Sequence, residues 1–386
     1  MESFNGYPRK DGRIGIRNHV AILSTVSCAN PVVMAISQQV PECVPLIHSV
    51  GCGRAGEDGI VHERTMTNLC THPNVGGLLL VSLGCEVLKV DALEAAAIAA
   101  GKPVRKIIIQ EDGGSVKSTR KGVAYARALL KEAEGVKPVK TDLSKLVIGL
   151  ECGGSDALSG VTANPAIGKM ADYMVDKGAT VILTETTEMI GTSHILEKRA
   201  VSPEIAEQIR TMVLRQKKKC EDLLGPVAKV VISPGNLDGG MSNIREKALG
   251  CIVKAGTRPI VEVLDYGCRP EKKGVVLMDG PGYDTDSMTG MAASGAQVMV
   301  FSSGRGNTMG FPLAPVIKVI SNTRTYQKLE DDIDVNAGVI LEGKTLDHVG
   351  EKIVETVIRT AAGESTKAEL NQQNGVMCVY TQNTSF

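Results

Sequence analysis

The sequence contains very few aromatic residues: tryptophan is absent, and all aromatic residues together make up only 3% of the 386 residues. Proteins that stack nucleic-acid bases depend on such side chains. The chain also has no net charge, because its 43 Lys and Arg residues balance its 43 Asp and Glu residues. General polyanion binders usually carry a basic surplus. We therefore expect no nucleic-acid partner, although one local basic pocket is compatible with this balance.

Long apolar runs are also missing. No stretch approaches the roughly 20 residues that are needed to span a bilayer, and the first ten residues contain no apolar signal-peptide core. We therefore predict a cytoplasmic protein with no membrane partner. Disulfides are rare in that compartment, so the ten cysteines indicate metal binding or catalysis for some thiols and buried packing for the rest.

The length of the chain predicts two or three domains, because 386 residues are too many for one ordinary core. Apolar runs of strand length alternate with helical spacing, which is typical of parallel βαβ units. We predict an α/β fold of mostly parallel sheets with flanking helices, in two or more Rossmann-like domains. The predicted segments are 1–140, 141–225 and 226–386, with a strand at 227–232 opening the last. The glycine-rich dinucleotide fingerprint is absent, so we expect no nicotinamide cofactor.

Three predicted strands near the amino terminus run into cysteines, at Cys28, Cys52 and Cys85. The carboxyl ends of parallel strands meet at one edge of a sheet, where ligands bind. We therefore expect a metal-dependent active site in which these thiols meet His48 and Glu86. Two ligand sets stay open: an iron–sulfur cluster on the three thiols, or a mononuclear Fe(II), Mn(II) or Zn(II) site that uses His48 with some thiols or Glu86. The alternative is that the cysteines are only small residues at strand ends.

The second half of the chain repeats this pattern at Glu151 and Cys152, which follow a predicted strand at 146–150. Cys152 is a candidate fourth soft ligand and Glu151 a candidate base, and a structural role for both is equally compatible with the pattern. The other six cysteines lack this context, and we interpret them as inert: Cys43, Cys70, Cys220, Cys251, Cys268 and Cys378.

A basic, glycine-punctuated stretch before the first predicted strand contains Arg13, Arg17 and Asn18. These residues could form an anion-binding loop for the substrate. Composition alone favours an entry hairpin over residues 5–18 with solvated arginines, since an Asp-Gly turn signal lies within it.

Further substrate-binding candidates lie in glycine-rich turns later in the chain. Arg305 belongs to a Gly-Arg-Gly-Asn turn, and a guanidinium can clamp a carboxylate bidentately. A solvated turn explains Arg305 equally well. Lys318 lies in a predicted strand that approaches the same edge, and Arg54 follows a glycine-rich turn that lets the backbone approach a ligand closely.

Several short motifs occur in an order that resembles the altronate/galactarate dehydratase family, in its large-subunit form, over nearly the whole chain. They are Gly-Tyr at 6–7, Asp-Gly-Arg-Ile-Gly-Ile-Arg-Asn at 11–18, His48 with Gly-Cys-Gly at 51–53, His-Pro-Asn at 72–74, Leu-Gly-Cys-Glu at 83–86, Cys-Gly-Gly-Ser-Asp at 152–156, Thr-Ala-Asn-Pro at 162–165, Gly-Arg-Gly at 304–306 and Asp-Val-Asn-Ala-Gly at 334–338. Ile16 departs from the threonine of the family pattern. The family also includes the large subunit of (2R)-sulfolactate sulfo-lyase.

The resemblance implies a lyase that acts on a small 2-hydroxy carboxylate and needs Fe(II) or a similar divalent ion. It implies dehydration of a sugar acid such as altronate to a 2-keto-3-deoxy acid, or release of sulfite from sulfolactate, and the breadth of the family favours the sugar acid. His48 or Glu86 would remove the C2 proton, and Arg305 and Asn307 would hold the substrate anion.

The resemblance also implies a partner chain. Single-chain members carry a small N-terminal domain that this sequence lacks, so a separate small subunit and a homo- or hetero-oligomer are expected. The competing hypothesis is a non-catalytic subunit that binds a metal or an anion and acts only as a scaffold.

Overall fold

The computed structural model describes residues 3–226 and 232–383. Its strands are β1 Ser3–Pro8, β2 Ile14–Gly15, β3 His19–Ser24, β4 Val44–Leu46, β5 Val75–Ser82, β6 Val104–Ile108, β7 Val139–Asp142, β8 Val147–Cys152, β9 Thr180–Leu183, β10 Ile260–Leu264, β11 Val275–Met278, β12 Val298–Ser303, β13 Val316–Ile320 and β14 Val335–Asn336. Its helices are α1 Asn30–Ser37, α2 Gly56–Cys70, α3 Val90–Ala99, α4 Ser115–Ala133, α5 Ala163–Asp176, α6 Ser193–Glu197, α7 Pro203–Leu224, α8 Pro234–Asp238, α9 Ile244–Ile252, α10 Asp284–Ala293, α11 Thr323–Lys328, α12 Leu346–Ala361 and α13 Lys367–Leu370. Within these two described ranges, none of the helices combines the length and the apolar character that crossing a membrane requires.

A four-stranded parallel sheet in the order β4-β3-β5-β6 organises the first part of the chain. Side chains alternate along β3, and this decides which helices cover each face. Val20 and Ile22 pack in one core with α1 and α4, whereas Ala21 and Leu23 pack in another with α2 and α3. The strands predicted before the three cysteines are confirmed as β3, β4 and β5, and each ends before its cysteine. The thiols therefore lie in loops beyond the carboxyl edge of this sheet.

A seven-stranded parallel sheet in the order β10-β11-β9-β8-β12-β13-β14 organises the rest. Met170 of α5 and Val357 of α12 pack on one of its faces. The other face shares a core with the first sheet, where Ile182 and Met299 join Met66 of α2. The predicted α/β fold of mostly parallel sheets is confirmed. Since β9 lies on one side of β8 and β12 on the other, the strand order reverses at β8 and opens a crevice at the carboxyl ends.

The predicted segments 141–225 and 226–386 share this second sheet, because β8 and β9 come from the first segment and β10 to β14 from the second. The predicted boundary near residue 225 therefore does not separate two sheets. The strand predicted at 227–232 lies outside the described residues, except for Ile232.

A small antiparallel sheet in the order β2-β1-β7 joins the two larger sheets. Strands β1 and β2 form the predicted entry hairpin, with Tyr7 opposite Gly15. The predicted boundary at residue 140 falls inside β7, which pairs with β1. The chain therefore passes from the first large sheet to the second through this small one.

Asn74, from the His-Pro-Asn motif, is fully buried where the two large sheets meet. Its Oδ1 accepts a hydrogen bond from the Ile16 N–H at 2.9 Å. Its Nδ2 donates to the carbonyl oxygens of Gln297 and Leu313 at 2.9 and 2.8 Å. Buried backbone groups require such partners, so this motif residue has a structural role.

Replacing Asn74 with Ala is expected to lower the free energy of unfolding by about 3 kcal/mol, because three buried backbone groups lose their partner. Denaturant titration followed by circular dichroism measures this loss. The exposed Asn371→Ala is the control, with an expected loss below about 0.5 kcal/mol. Equal losses in the two variants would contradict the role assigned to Asn74.

Candidate active site

A pocket of about 530 Å3 opens at the carboxyl edge of the seven-stranded sheet. Cys152 ends β8 at this edge, Glu188 follows β9, and Asp284 begins α10. Helix α9 adds Lys247 to the lining. The pocket therefore lies where the strand order reverses, which is the usual ligand site of open parallel sheets.

Helix α9 and the turn after it bring Lys247 into the lining and two further groups to the residues behind it. Asn243 caps the helix by accepting a hydrogen bond from the Glu246 N–H at 3.1 Å. Lys247 and Cys251 are four residues apart and so lie on one face of the helix. Lys254 comes from the next turn and is almost completely buried beside them. These three side chains can therefore act on a common site.

Cys152, Cys251 and Glu188, here named the thiol–carboxylate group, have donor atoms that all lie within 4.8 Å of one another. Cys152 Sγ donates to Glu188 Oε2 at 2.7 Å and lies 3.4 Å from Cys251 Sγ. Lys247 Nζ pairs with Glu188 Oε1 at 2.5 Å. Two sulfur donors and one carboxylate are a ligand set that suits Fe(II) or Zn(II).

The charges of this group follow from its burial and its lysines. Burial raises the pKa of Glu188, but Lys247 and Lys254 lower it overall, so this carboxylate is ionised. The hydrogen bond with Cys251, together with burial, raises the pKa of the Cys152 thiol far above its usual value. Both effects keep that thiol protonated at neutral pH, so a cation bound there would displace its proton.

Glu151, Glu185 and Asp284, here named the carboxylate group, also have oxygens within 4.8 Å of one another. Ser287 donates a hydrogen bond to Glu151 Oε2, and Lys254 Nζ lies 3.1 Å from Glu185 Oε2. The second oxygens of Glu151 and Glu185 are buried, and none of the residues in the described part of the chain donates a hydrogen bond to them. Buried polar atoms without partners are rare, so these two oxygens suit a bound cation or an exchangeable proton.

The three carboxyl groups differ in protonation. Burial, followed by repulsion from Glu185 and Asp284, raises the pKa of Glu151 well above its usual value, so Glu151 is protonated at neutral pH. Burial and Glu188 raise the pKa of Glu185 to about 7 and that of Asp284 to about 6. Asp284 lines the pocket. It is therefore the member of the group that can exchange a proton with a ligand near neutral pH.

Glu185 has a strained backbone, with φ at 66° in the left-handed region. Such a conformation costs a residue other than glycine about 1–3 kcal/mol and is typical of functional sites. The strain turns the carboxylate back toward β8, where Glu185 Oε2 accepts a hydrogen bond from the Cys152 N–H at 3.0 Å. This contact couples the carboxylate group to the thiol–carboxylate group.

Arg305 and Asn307, two of the predicted anion-binding residues, lie beside the pocket. Asn307 Nδ2 donates to Asp284 Oδ2 at 3.2 Å. The Arg305 N–H donates to the Gly154 carbonyl at 3.1 Å, and its half-exposed guanidinium lies 3.9 Å from Asp238. Their position agrees with contact to a substrate, and substrate binding by them stays a prediction.

Asp156 of the Cys-Gly-Gly-Ser-Asp motif holds the turn that carries Arg305. Asn322 Nδ2 donates both to Asp156 Oδ2, at 3.0 Å, and to the Gly304 carbonyl, at 2.9 Å. A Cβ on residue 304 would lie 2.3 Å from Asp156 Cγ, so only glycine fits there. The two motifs are therefore packed against each other at the edge of the pocket.

Cys28, Cys52 and Cys85 lie at the carboxyl edge of the first sheet, and all three are exposed. Backbone hydrogen bonds join the loops that carry them: the Ser27 N–H donates to Val50 O at 2.8 Å, and the Val87 N–H donates to the Gly51 carbonyl at 3.2 Å. Within the described residues, the groups of three ligands whose donor atoms lie within 4.8 Å do not include these thiols. Metal binding by this set stays a prediction.

His48 and Glu86 lie near these loops but are already engaged. His48 Nδ1 accepts from the Val50 N–H at 3.2 Å, so its Nε2–H donates to the Ser24 carbonyl at 2.8 Å. Burial also lowers the pKa of His48, which is therefore neutral. Glu86 accepts hydrogen bonds from Thr25 and from the Gly84 N–H. These contacts leave neither ring nitrogen of His48 available as a base or a ligand, and Cys152 lies in the other sheet.

Arg13, Arg17 and Asn18 are placed away from the pocket, at the amino ends of the strands. Arg17 forms a bidentate pair with Glu369, with both distances at 2.8 Å, and Asn18 Nδ2 donates to the Ala133 carbonyl at 2.8 Å. These two residues fix the entry hairpin to the rest of the molecule.

Arg54 and Lys318 are not in the lining of the pocket either. Arg54 Nη1 donates to the carbonyl of Asn383 at 2.8 Å. Lys318 is buried in β13, where burial lowers its pKa to about 8, and it donates to Gln373. Both residues contact the C-terminal segment.

Sequence reasoning missed Glu185, Glu188, Lys247, Lys254 and Asp284, and it interpreted Cys251 as inert. The structure places Cys251 Sγ 3.4 Å from Cys152 Sγ, which makes Cys251 a candidate ligand. A signal for the two glutamates was present, since they follow the end of β9 as Glu151 follows the strand predicted at 146–150. No local signal connects Cys251 with a residue 99 positions earlier.

Comparison with known protein families identifies the family of this chain. The family described as "D-galactarate/Altronate dehydratase, C-terminal" matches residues 143–384. The one described as "D-galactarate dehydratase/Altronate hydrolase, second domain" matches residues 6–134. The chain belongs to the D-galactarate/altronate dehydratase family.

Three relatives illustrate the range of this dehydratase family. Altronate dehydratase from Bacillus subtilis is 33% identical over 380 residues, which cover 96% of this chain and 76% of the relative. (2R)-Sulfolactate sulfo-lyase subunit beta from Chromohalobacter salexigens is 33% identical over 95% of this chain and 94% of the relative. Galactarate dehydratase (L-threo-forming) from Escherichia coli is 34% identical over 94% and 73%. The predicted family is confirmed, and its members are lyases.

Proposed function

We propose that this lyase is metal-dependent and dehydrates a sugar acid, an altronate-like 2,3-dihydroxy carboxylate, to a 2-keto-3-deoxy acid. The observation that supports it most is the carboxylate group. It holds a protonated carboxyl, Glu151, within 4.8 Å of Asp284, whose pKa lies at about 6. Elimination of water needs one group that accepts the C2 proton and another that protonates the departing hydroxyl. An adjacent ionised and protonated pair supplies both.

In the proposed mechanism, the basic residues of the pocket bind the substrate carboxylate. Lys247 lines the pocket, and the ionised Glu188 keeps it protonated despite its burial. Arg305 lies beside the pocket with a half-exposed guanidinium. Two cations at separate positions can orient an extended polar acid and place its C2–H near one base.

Asp284 is the proposed base, since it lines the pocket and is ionised above about pH 6. It takes the C2 proton, the electron pair forms the C2–C3 double bond, and the C3 hydroxyl leaves as water with a proton delivered by Asp284, to which the fully buried Glu151 can pass its own proton. The resulting enol then tautomerises to the 2-keto acid. This assignment moves the base from His48 and Glu86 to Asp284, because His48 has no available ring nitrogen and Glu86 lies at the first sheet.

The divalent iron that the family resemblance implies fits the residues of the pocket. The thiol–carboxylate group provides two sulfur donors and one oxygen donor. Glu151 and Glu185 each have a buried oxygen that has no hydrogen-bond partner within residues 3–226 and 232–383. The ion would stabilise negative charge on the substrate as a Lewis acid. Cys28, Cys52 and Cys85 remain a second candidate set, suited to an iron–sulfur cluster.

A second candidate function is release of sulfite from (2R)-sulfolactate, giving pyruvate. It is favoured by the match with the sulfo-lyase subunit, which extends over 94% of that relative, and by Arg305, which could hold a second anionic group. Because that relative is named as a subunit, we also propose a separate small subunit as partner, in a cytoplasmic complex.

The function is tested by anaerobic assay of the chain with Fe(II), alone and with a small subunit of the sulfo-lyase type. We expect a 2-keto-3-deoxy acid from altronate or galactarate. If the chain releases sulfite from (2R)-sulfolactate and forms no keto acid from the sugar acids, the second candidate function is correct and the first is wrong. Absence of every product in the presence of the small subunit would favour a scaffold role.

A further inference from the structure

A second cavity, of about 270 Å3, lies at the opposite edge of the seven-stranded sheet. It is lined by Val147 at the start of β8 and Thr180 at the start of β9. A strand of six residues is about 20 Å long, so this cavity is separated from the lyase pocket by the length of β8. It is therefore a different site.

The lining of this cavity is basic. Five cationic side chains, Arg13, Lys145, Arg269, Lys272 and Lys273, face only two acidic ones, Asp11 and Glu271. Asp11 is already occupied, since it accepts from Arg13 Nη2 at 2.5 Å. The whole chain carries no net charge, so this surplus is a local feature.

Two buried arginine donors next to the cavity have no acceptor among the described residues. Arg13 Nη2 donates to the Thr71 carbonyl at 2.6 Å, and Arg269 Nη2 donates to the Asn68 carbonyl at 3.1 Å. Asn68 lies in the last turn of α2 and Thr71 directly follows the helix, so the end of α2 provides acceptors for one nitrogen of each arginine. Arg13 Nη1 and Arg269 Nε are buried with no acceptor, and unsatisfied buried donors are rare in native structures.

A further basic side chain, Lys102, lies close to the lining. Lys102 is buried and donates to the carbonyls of His72 and Val75 at 2.8 and 2.5 Å. Burial, followed by repulsion from Arg9 and Arg13, lowers the pKa of Lys102 well below its usual value. Burial, followed by repulsion from Arg13, lowers the pKa of Arg269 to about 10. The cations thus repel one another more than the nearby carboxylates compensate.

We propose that this cavity binds a small phosphoryl dianion, either inorganic phosphate or a phosphate monoester. A dianion matches a surplus of several positive charges better than a single carboxylate does, and guanidinium groups recognise phosphate oxygens through their N–H donors. The cationic side chains of the lining come from separate parts of the chain, so a tetrahedral group with several oxygens can accept from more than one of them. The site also explains Arg13, a motif residue that the lyase pocket does not use.

The ligand would bridge two parts of the fold. Arg13 lies between β1 and β2 in the entry hairpin, whereas Arg269 follows β10 in the second large sheet. Binding therefore clamps the hairpin to that sheet, and ligand binding to the native state stabilises it by mass action.

Titration calorimetry of the full chain with inorganic phosphate, at constant ionic strength set by sodium chloride, tests the proposal. We expect saturable binding and a thermal unfolding midpoint that rises with phosphate concentration. Arg269→Gln should raise the dissociation constant at least tenfold. The matched control is Arg210→Gln. Arg210 is an exposed residue of α7 that pairs with Glu197, and this variant should bind phosphate like the unmodified chain.

Two further comparisons keep the test decisive. If Arg269→Gln does not fold, Lys272→Gln changes an exposed lining residue and should weaken binding about two- to threefold. Glycerol 3-phosphate that binds as tightly as inorganic phosphate supports a monoester ligand, and weaker binding supports free phosphate. The proposal is overturned by non-saturable binding, by equal binding of malonate and phosphate, or by unchanged binding in both cavity variants.

Discussion

Replacing Asp284 with Asn is expected to lower kcat for sugar-acid dehydration by about 10³-fold, within the range that a general base contributes. Asparagine keeps the size of the side chain and can still contact Asn307, but it cannot accept a proton. The loss should appear mainly in kcat, since Lys247 and Arg305 still bind the substrate anion. Steady-state assays of keto-acid formation under anaerobic conditions measure it.

The pH profile gives the same residue a second test. The ionised carboxylate is the reactive form, so kcat/KM should fall below about pH 6, by about tenfold for each further pH unit, as Asp284 gains a proton. In Asp284→Asn, the residual activity should lack this acidic limb.

Asp286→Asn is the matched control for both measurements. Asp286 lies on the same helix, and burial raises its pKa to about 6 as well, but it does not line the pocket. This variant should keep kcat within about twofold and keep the acidic limb. Comparable losses in the two variants, or an acidic limb that persists in Asp284→Asn, would rule out Asp284 as the base.

Replacing both Cys152 and Cys251 with Ser is expected to abolish stoichiometric iron binding. Serine preserves the volume of each side chain, but its hydroxyl is a poor ligand for soft or borderline metals. Loss of a residue that only hydrogen-bonds to a metal ligand weakens metal affinity by about 10–100-fold. Loss of two direct ligands should weaken the affinity by more than this factor. Anaerobic purification followed by iron and sulfide analysis measures the change, and Co(II) substitution with its thiolate charge-transfer band gives a reading that is independent of activity.

The triple variant Cys28→Ser, Cys52→Ser and Cys85→Ser is the counterpart. All three side chains are exposed, so the fold should tolerate the change, and we expect iron to be retained. Loss of iron together with stoichiometric sulfide in this variant alone would instead support the cluster predicted at the first sheet. An unmodified chain that binds no transition metal would contradict metal dependence altogether.

The sequence alone determined the architecture and the family of this protein. The continuous apolar run of β3, and helical spacing after each strand, are local properties that persist in the fold, so the parallel α/β sheets were predicted correctly. The family followed from motifs that are each contiguous in the chain. Strand ends such as Cys152 were also found from the sequence, because a strand that stops at a glycine-rich turn is a local event.

The tertiary structure decided which of these strand ends form the pocket. Cys251 lies 99 residues from Cys152, yet their sulfur atoms are 3.4 Å apart, because α9 packs over the end of β8. Such convergence depends on strand order and on the packing of helices, which local patterns do not encode. His48 shows the converse: it is near the predicted thiols in the sequence and in space, but the backbone of Ser24 and Val50 occupies both of its ring nitrogens. Burial and neighbouring charge then set the pKa of Asp284, and both are properties of the folded molecule only.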